Sequence, residues 1–107
     1  MNRKPAVYIY EAKANPMDIN EICAGLEEES VPFAVYSCGM GEVGVLAYDA
    51  AGDSPLRVGV GVCEGAAALQ MGDLAVDNPV FLVELASAEL RKLGTNAARA
   101  VKGGVFV

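Results

Sequence analysis

A chain of 107 residues suits one domain with one core, and a net charge of −6 argues against nucleic acid as a general partner. Hydrophobic residues make up 53% and aromatics only 7%, so the core is to be built from Val, Ala, Leu and Ile rather than from rings. Histidine is absent, which removes the commonest general base and the commonest metal ligand, and with them Ser-His-Asp, Cys-His and His-based zinc chemistry.

Further limits come from the rest of the composition. No apolar run reaches bilayer length, and Met1-Asn2-Arg3-Lys4-Pro5 leads straight into a strand-like segment with no signal-peptide pattern. A cytoplasmic location, with no membrane partner, is the expectation. Cys23, Cys38 and Cys63 lack C-x-x-C spacing and are expected to be reduced and mostly buried.

In chain order, Ala6 to Tyr10 is a short run of β-formers and reads as the first strand. Asn15 is a natural N-cap, Pro16 suits the first helical position, and Asp18 places negative charge where the helix dipole favours it. Ile19, Ile22, Cys23 and Leu26 then mark one face of a helix running to Ser30, before Pro32 forces the chain to extend. Pro32 to Cys38 is a second strand. Glu42 to Ala51 is a short helix with Val43, Leu46, Ala47 and Ala50 on one face.

Gly52-Asp53-Ser54-Pro55 is turn chemistry, and Leu56 to Val62 is a third strand. Gly59 and Gly61 inside it predict close approach of a helix or a neighbouring backbone. Only Cys63-Glu64-Gly65 separates this strand from the apolar run Ala66 to Met71. That link is too short for a parallel crossover, so the pair should be an antiparallel hairpin. Pro79 to Glu84 is a fifth strand. Ser87 to Lys92 and Thr95 to Lys102 read as helix, broken or kinked at Gly94 and ended by Gly103-Gly104, with Val105 to Val107 as an extended tail. The expected fold is one α/β domain over residues 1–107: a mixed, mostly parallel five-stranded sheet with helices on both faces and one reversed strand.

Two features ask for a function. Glu27-Glu28-Glu29 fall in the last turn of the first helix, where the dipole disfavours carboxylates by roughly 0.3–1 kcal/mol each. Glu28 lies opposite the apolar face and should point away from the core, toward solvent or a partner, with Glu27 and Glu29 beside it. Arg91, Lys92, Arg99 and Lys102 cluster near the other end of the chain, either as decoration of one helix or as a docking patch. The second feature, Gly39-Met40-Gly41-Glu42-Val43-Gly44, matches G-x-G-x-x-G, with Glu64 twenty residues on. It follows the second strand rather than the first, the chain is too short for both halves of a dinucleotide fold, and Glu42 sits where a phosphate would lie. Gly39 and Gly41 are better read as a strand-to-helix turn, and Gly44 as close helix packing. A small nucleotide-binding enzyme using Gly39 to Gly44 stays as the reading of lowest rank.

Taken in order, five elements resemble one family: Gly25-Leu-Glu-Glu-Glu-Ser-Val-Pro-Phe33, Gly41-Glu-Val43, Ser54-Pro-Leu-Arg-Val-Gly59, Pro79-Val-Phe81 and Thr95-Asn-Ala-Ala-Arg-Ala-Val-Lys-Gly103. The family is the small subunit of the diol/glycerol dehydratase reactivating factors (reactivases), and the resemblance runs from about Ala6 to Phe106. It implies a three-layer α/β/α fold of the anticodon-binding-domain-like kind. It implies a non-catalytic, chaperone-like subunit that works with an Hsp70-like ATPase large subunit. Together they rescue adenosylcobalamin-dependent diol or glycerol dehydratase by taking the place of its medium subunit and releasing damaged cobalamin.

In that family the middle glutamate of the triplet ligates a divalent metal in the large subunit, and by position that residue is Glu28. The implied cofactors are therefore Mg²⁺ at the interface and ATP or ADP on the partner, with none held by this chain alone. Glu27, Glu29, Arg99 and Lys102 are the further interface candidates. A homo-oligomer of the isolated chain and enclosure in a bacterial microcompartment are both compatible with this reading. The runner-up is a stand-alone relative of the dehydratase medium subunit, a structural piece of the enzyme itself.

Overall fold

Eight elements follow one another as β1 (Val7–Ala12), α1 (Pro16–Glu28), β2 (Phe33–Ser37), α2 (Val43–Asp53), β3 (Val58–Cys63), β4 (Ala66–Met71), β5 (Phe81–Glu84) and α3 (Ser87–Lys102). The computed structural model describes residues 5–84 and 86–107, so the reading of Met1–Lys4 as a lead into the first strand falls outside the described residues. The sheet order is β2-β1-β3-β4-β5. β1 runs parallel to both β2 and β3, while β4 is antiparallel to β3 and to β5. β4 is thus the reversed strand, and the β3–β4 hairpin pairs Val62 with Ala67.

Alternation along the strands divides the side chains between two layers. Val7 and Ile9 of β1, Val58, Val60 and Val62 of β3, and Ala67 and Leu69 of β4 form the main core with Ile22 and Leu26 of α1 and Leu90, Leu93 and Ala97 of α3. The other face carries Ala6 and Tyr8 packed against Ala50 of α2. It also carries Gly59 and Gly61. A Cβ at Gly59 would lie 2.1 Å from the Ala51 amide nitrogen, and one at Gly61 would lie 2.5 Å from the Val43 carbonyl oxygen. The two glycines therefore seat α2 directly on the β3 backbone, as their place in the strand predicts. The result is a three-layer α/β/α sandwich, with α1 and α3 on one face and α2 on the other.

Helix α1 begins as its sequence requires. The Asn15 side chain accepts from the Met17 amide at 2.9 Å, and Pro16 occupies the first turn. It ends in a Schellman motif. The Ser30 amide donates to the Glu27 carbonyl and the Val31 amide donates to the Leu26 carbonyl. Ser30 takes the left-handed position at φ 58°, a place glycine usually fills.

Helix α3 corrects one expectation. It runs unbroken from Ser87 to Lys102, with Gly94 buried in its middle. A Cβ at Gly94 would lie 2.0 Å from the Ile22 carbonyl oxygen, and one at Gly25 would lie 2.3 Å from the Arg91 carbonyl oxygen. Gly94 is a crossing point where α3 and α1 meet backbone to backbone, and the helix keeps its hydrogen bonds through it. Gly103 closes the helix at φ 73°. Beyond it, the Asn96 side chain accepts from the Val107 amide at 2.8 Å and donates to the Val107 carbonyl, holding the tail against α3.

Candidate functional site

The Gly25–Gly94 crossing sets the acidic end of α1 beside α3, and the basic residues of α3 meet it. α1 has no basic residue in its own last turn. The Arg91 guanidinium spans two carboxylates of α1: Nη2 lies 3.2 Å from Glu21 Oε2, and Nη1 lies 3.1 Å from Glu28 Oε1. Hydrogen bonds donated to Glu21 first and Glu28 second hold Arg91 more firmly protonated than a free guanidinium. Lys102 Nζ donates to the Glu29 carbonyl oxygen at 2.6 Å. Arg99 and Lys102 stand 3.7 and 3.8 Å from Glu29 Oε1. Cations from α3 thus occupy the negative end of the α1 dipole and offset the cost of placing three carboxylates there.

The triplet consequently has three different surroundings. Glu27 is exposed, and among the described residues it has no ion pair. Glu28 is 60% exposed, as its place opposite the apolar face requires. It leans sideways to Arg91 rather than straight into solvent, which corrects the simplest picture from helical spacing. Glu29 is half-buried and tied to Arg99 and Lys102. Those two bases, expected as surface interface candidates, have partners inside the chain, and Arg99 also donates to the Val105 carbonyl at 3.1 Å. Arg91 was legible only as part of a basic cluster; its pairing with Glu28 and Glu21 was not, because these partners lie 63 and 70 positions away.

A carboxylate that is 60% exposed, with Oε1 bound to Arg91, is a hard oxygen donor of the kind that fits Mg²⁺. Among the described residues no group of three or more Cys, Asp or Glu side chains converges to hold a metal ion.

The glycine fingerprint sits at the carboxyl ends of β1 and β3, beside an open cleft of about 260 Å³ lined by Lys13, Met40, Gly41, Cys63 and Glu64. Gly39 at φ 77° supports the strand-to-helix turn. Gly44 does not serve close helix packing, because a Cβ there would meet only the Val76 carbonyl at 3.8 Å. Glu42 caps α2 without a side-chain hydrogen bond to it, and Glu64 brings a carboxylate to the cleft. The Glu64 carboxylate against Lys13, with Glu42 at the helix start, makes this a poor phosphate cradle.

Of the three thiols only Cys23 is buried, against the expectation that most would be; Cys63, the last residue of β3, is half-buried, and Cys38, just past the end of β2, is exposed. Burial, reinforced by Glu27, pushes the Cys23 thiol up to about 11. Among the described residues no helix is long and apolar enough to cross a membrane.

The sequence profile of the dehydratase medium subunit matches residues 4–107. The chain belongs to this family. Within the dehydratase medium subunit family it is similar to the propanediol dehydratase-reactivating factor small subunit of Citrobacter freundii, at 33% identity over 95% of this chain and 90% of the relative. It is similar also to the diol dehydratase-reactivating factor small subunit of Klebsiella michiganensis, at 36% identity over 80% of this chain and 70% of the relative. A chain in the structure of diol dehydratase-reactivating factor complexed with ADP and Mg²⁺ superposes with a TM-score of 0.93 at 33% identity, covering 98% of this chain and 99% of that one. A chain of a glycerol dehydratase reactivase superposes with a TM-score of 0.92 at 34% identity, covering 97% of each. The three-layer fold and its single reversed strand are therefore those of the reactivase members of the family.

Proposed function

We propose that this chain is the non-catalytic small subunit of a dehydratase reactivating factor, acting as one domain over residues 1–107 in the cytoplasm. Its partners are a large ATPase subunit, which binds the nucleotide, and a cobalamin-dependent dehydratase acting on a diol or glycerol. The chain takes the place of the dehydratase's medium subunit, which loosens the enzyme and lets damaged cobalamin leave. Glu28 contributes one carboxylate oxygen to a Mg²⁺ site on the large subunit.

The observation that carries this reading is the end-to-end likeness, at a TM-score of 0.93, to a chain of a reactivating factor complexed with ADP and Mg²⁺. The absence of histidine and the exposure of Glu28 are consistent with it. A reconstitution assay is the test. Inactivated dehydratase is incubated with ATP, Mg²⁺ and the large subunit, with and without this chain, and released cobalamin is read by its visible absorbance. Release that requires the chain is the expected result. Release that is equal without it would remove the exchange role.

The family profile is itself that of the dehydratase medium subunit, which favours one second reading: a structural piece of the enzyme. Under that reading the chain would co-purify with dehydratase in fixed ratio and stay bound through cycles of ATP addition.

A further inference from the structure

The Arg91 guanidinium is not a loose surface pair. Its backbone is fixed by the α1–α3 crossing, where a Cβ at Gly25 would lie 2.3 Å from the Arg91 carbonyl oxygen. Thr95 Oγ1 donates to that same carbonyl at 3.1 Å. Nε is sealed from solvent and has no hydrogen-bond partner. The two outer nitrogens are divided between Glu21 and Glu28, which stand seven residues apart on one side of α1, roughly 10 Å along its axis. A guanidinium fork can bridge two carboxylates in this way; an ammonium is a single point charge and cannot hold both in fixed geometry.

We infer that Arg91 is the positioning residue for Glu28: it pins Oε1 and so presents this exposed carboxylate as a preorganised ligand for a divalent cation brought by the partner. This rests on the metal-ligand reading of Glu28. Two observations support it. The hydrogen bond from Arg91 falls on Oε1 at 3.1 Å, and among the described residues Glu28 has no hydrogen bond or ion pair with any other residue. Arg91 is also shared with Glu21, so one positive charge faces two negative ones and the cluster stays attractive to a dication. A carboxylate paired one-to-one with an arginine would present no net charge. Ligating carboxylates elsewhere are commonly held by such outer partners, whose loss weakens metal affinity about 10- to 100-fold.

The experiment titrates Mg²⁺ into this chain mixed with the reactivase large subunit and ADP, reading assembly by light scattering. It compares wild type, Glu28→Ala, Arg91→Lys, Arg91→Ala, Glu21→Gln and the double variant Glu28→Ala with Arg91→Ala. Both Arg91 variants should raise the Mg²⁺ concentration at half-assembly about tenfold. Glu21→Gln, which leaves the fold least disturbed, should raise it in the same direction by less. The double variant should assemble no worse than Glu28→Ala alone, because Arg91 acts through Glu28. Thermal melting of each isolated chain separates this from a purely structural loss, which would lower the melting temperature without moving the Mg²⁺ midpoint. An unchanged or lowered midpoint in Arg91→Lys and Arg91→Ala would overturn the Arg91 role, as would an equal loss in the Glu28→Ala background. A Glu28→Ala chain that assembles with the wild-type Mg²⁺ dependence would instead remove the metal role of Glu28, and the inference with it.

Discussion

Tyr10 shows how a single side chain ties stability to pH. Its hydroxyl donates to Asp53, and burial first, then that carboxylate, pushes the phenol well above its ordinary range. The native chain holds this proton to higher pH than the unfolded chain. The contribution to stability is therefore complete below the ordinary phenol pKa of about 10 and falls as pH rises beyond it. Urea midpoints across that range should drop more steeply for wild type than for Tyr10→Phe; parallel slopes would mean that Asp53 has little hold on the proton. The thiols give a second check. In the native chain Cys38 should react first with an aromatic disulfide reagent. Cys23, buried and raised to about 11, should wait for unfolding. At this scale the exposure of Glu28 was legible from helical spacing alone. Its tilt toward Arg91 was not, because ion pairs across 63 positions leave no local pattern.

At the scale of elements, the ends and crossings of helices decide most. Ser30 holds the left-handed C′ position of α1 at φ 58°, where a side chain costs free energy that glycine does not. Ser30→Gly should stabilise the chain by roughly 1 kcal/mol, seen as a higher urea midpoint at constant slope. Gly94→Ala should do the reverse despite its better helix propensity. The new methyl would meet the Ile22 carbonyl, and the loss should reach roughly 1–3 kcal/mol or more. Gly94 explains why the sequence suggests a break where the structure has none. Read locally, a mid-helix glycine is a weak point. What offsets it is a contact with α1, which only the assembled fold supplies. Gly59 and Gly61 are the contrary case, because alternation inside a strand already announces that something must come close.

At the scale of the whole molecule, the layers follow from apolar patterning and short connections. The hairpin was fixed by a link too short for a crossover, and the parallel pairs by helices long enough to make one. The sheet order β2-β1-β3-β4-β5 follows from no single residue, since it depends on which edge each crossover reaches. The same packing that buries the valine-rich face brings α3 beside α1 and gathers Glu21, Glu28 and Arg91 at one exposed end. The proposed metal role of Glu28 belongs to this scale, because it needs a second subunit to complete the site.

The most direct test is light scattering on a size-exclusion column. This chain and its Glu28→Ala variant are each mixed with the large subunit in Mg²⁺ and ADP, and then exchanged into EDTA. Wild type should form a complex that EDTA dissolves and that Glu28→Ala weakens, with the isolated folds unchanged. A complex indifferent to both EDTA and Glu28, or no complex in either buffer, would contradict it.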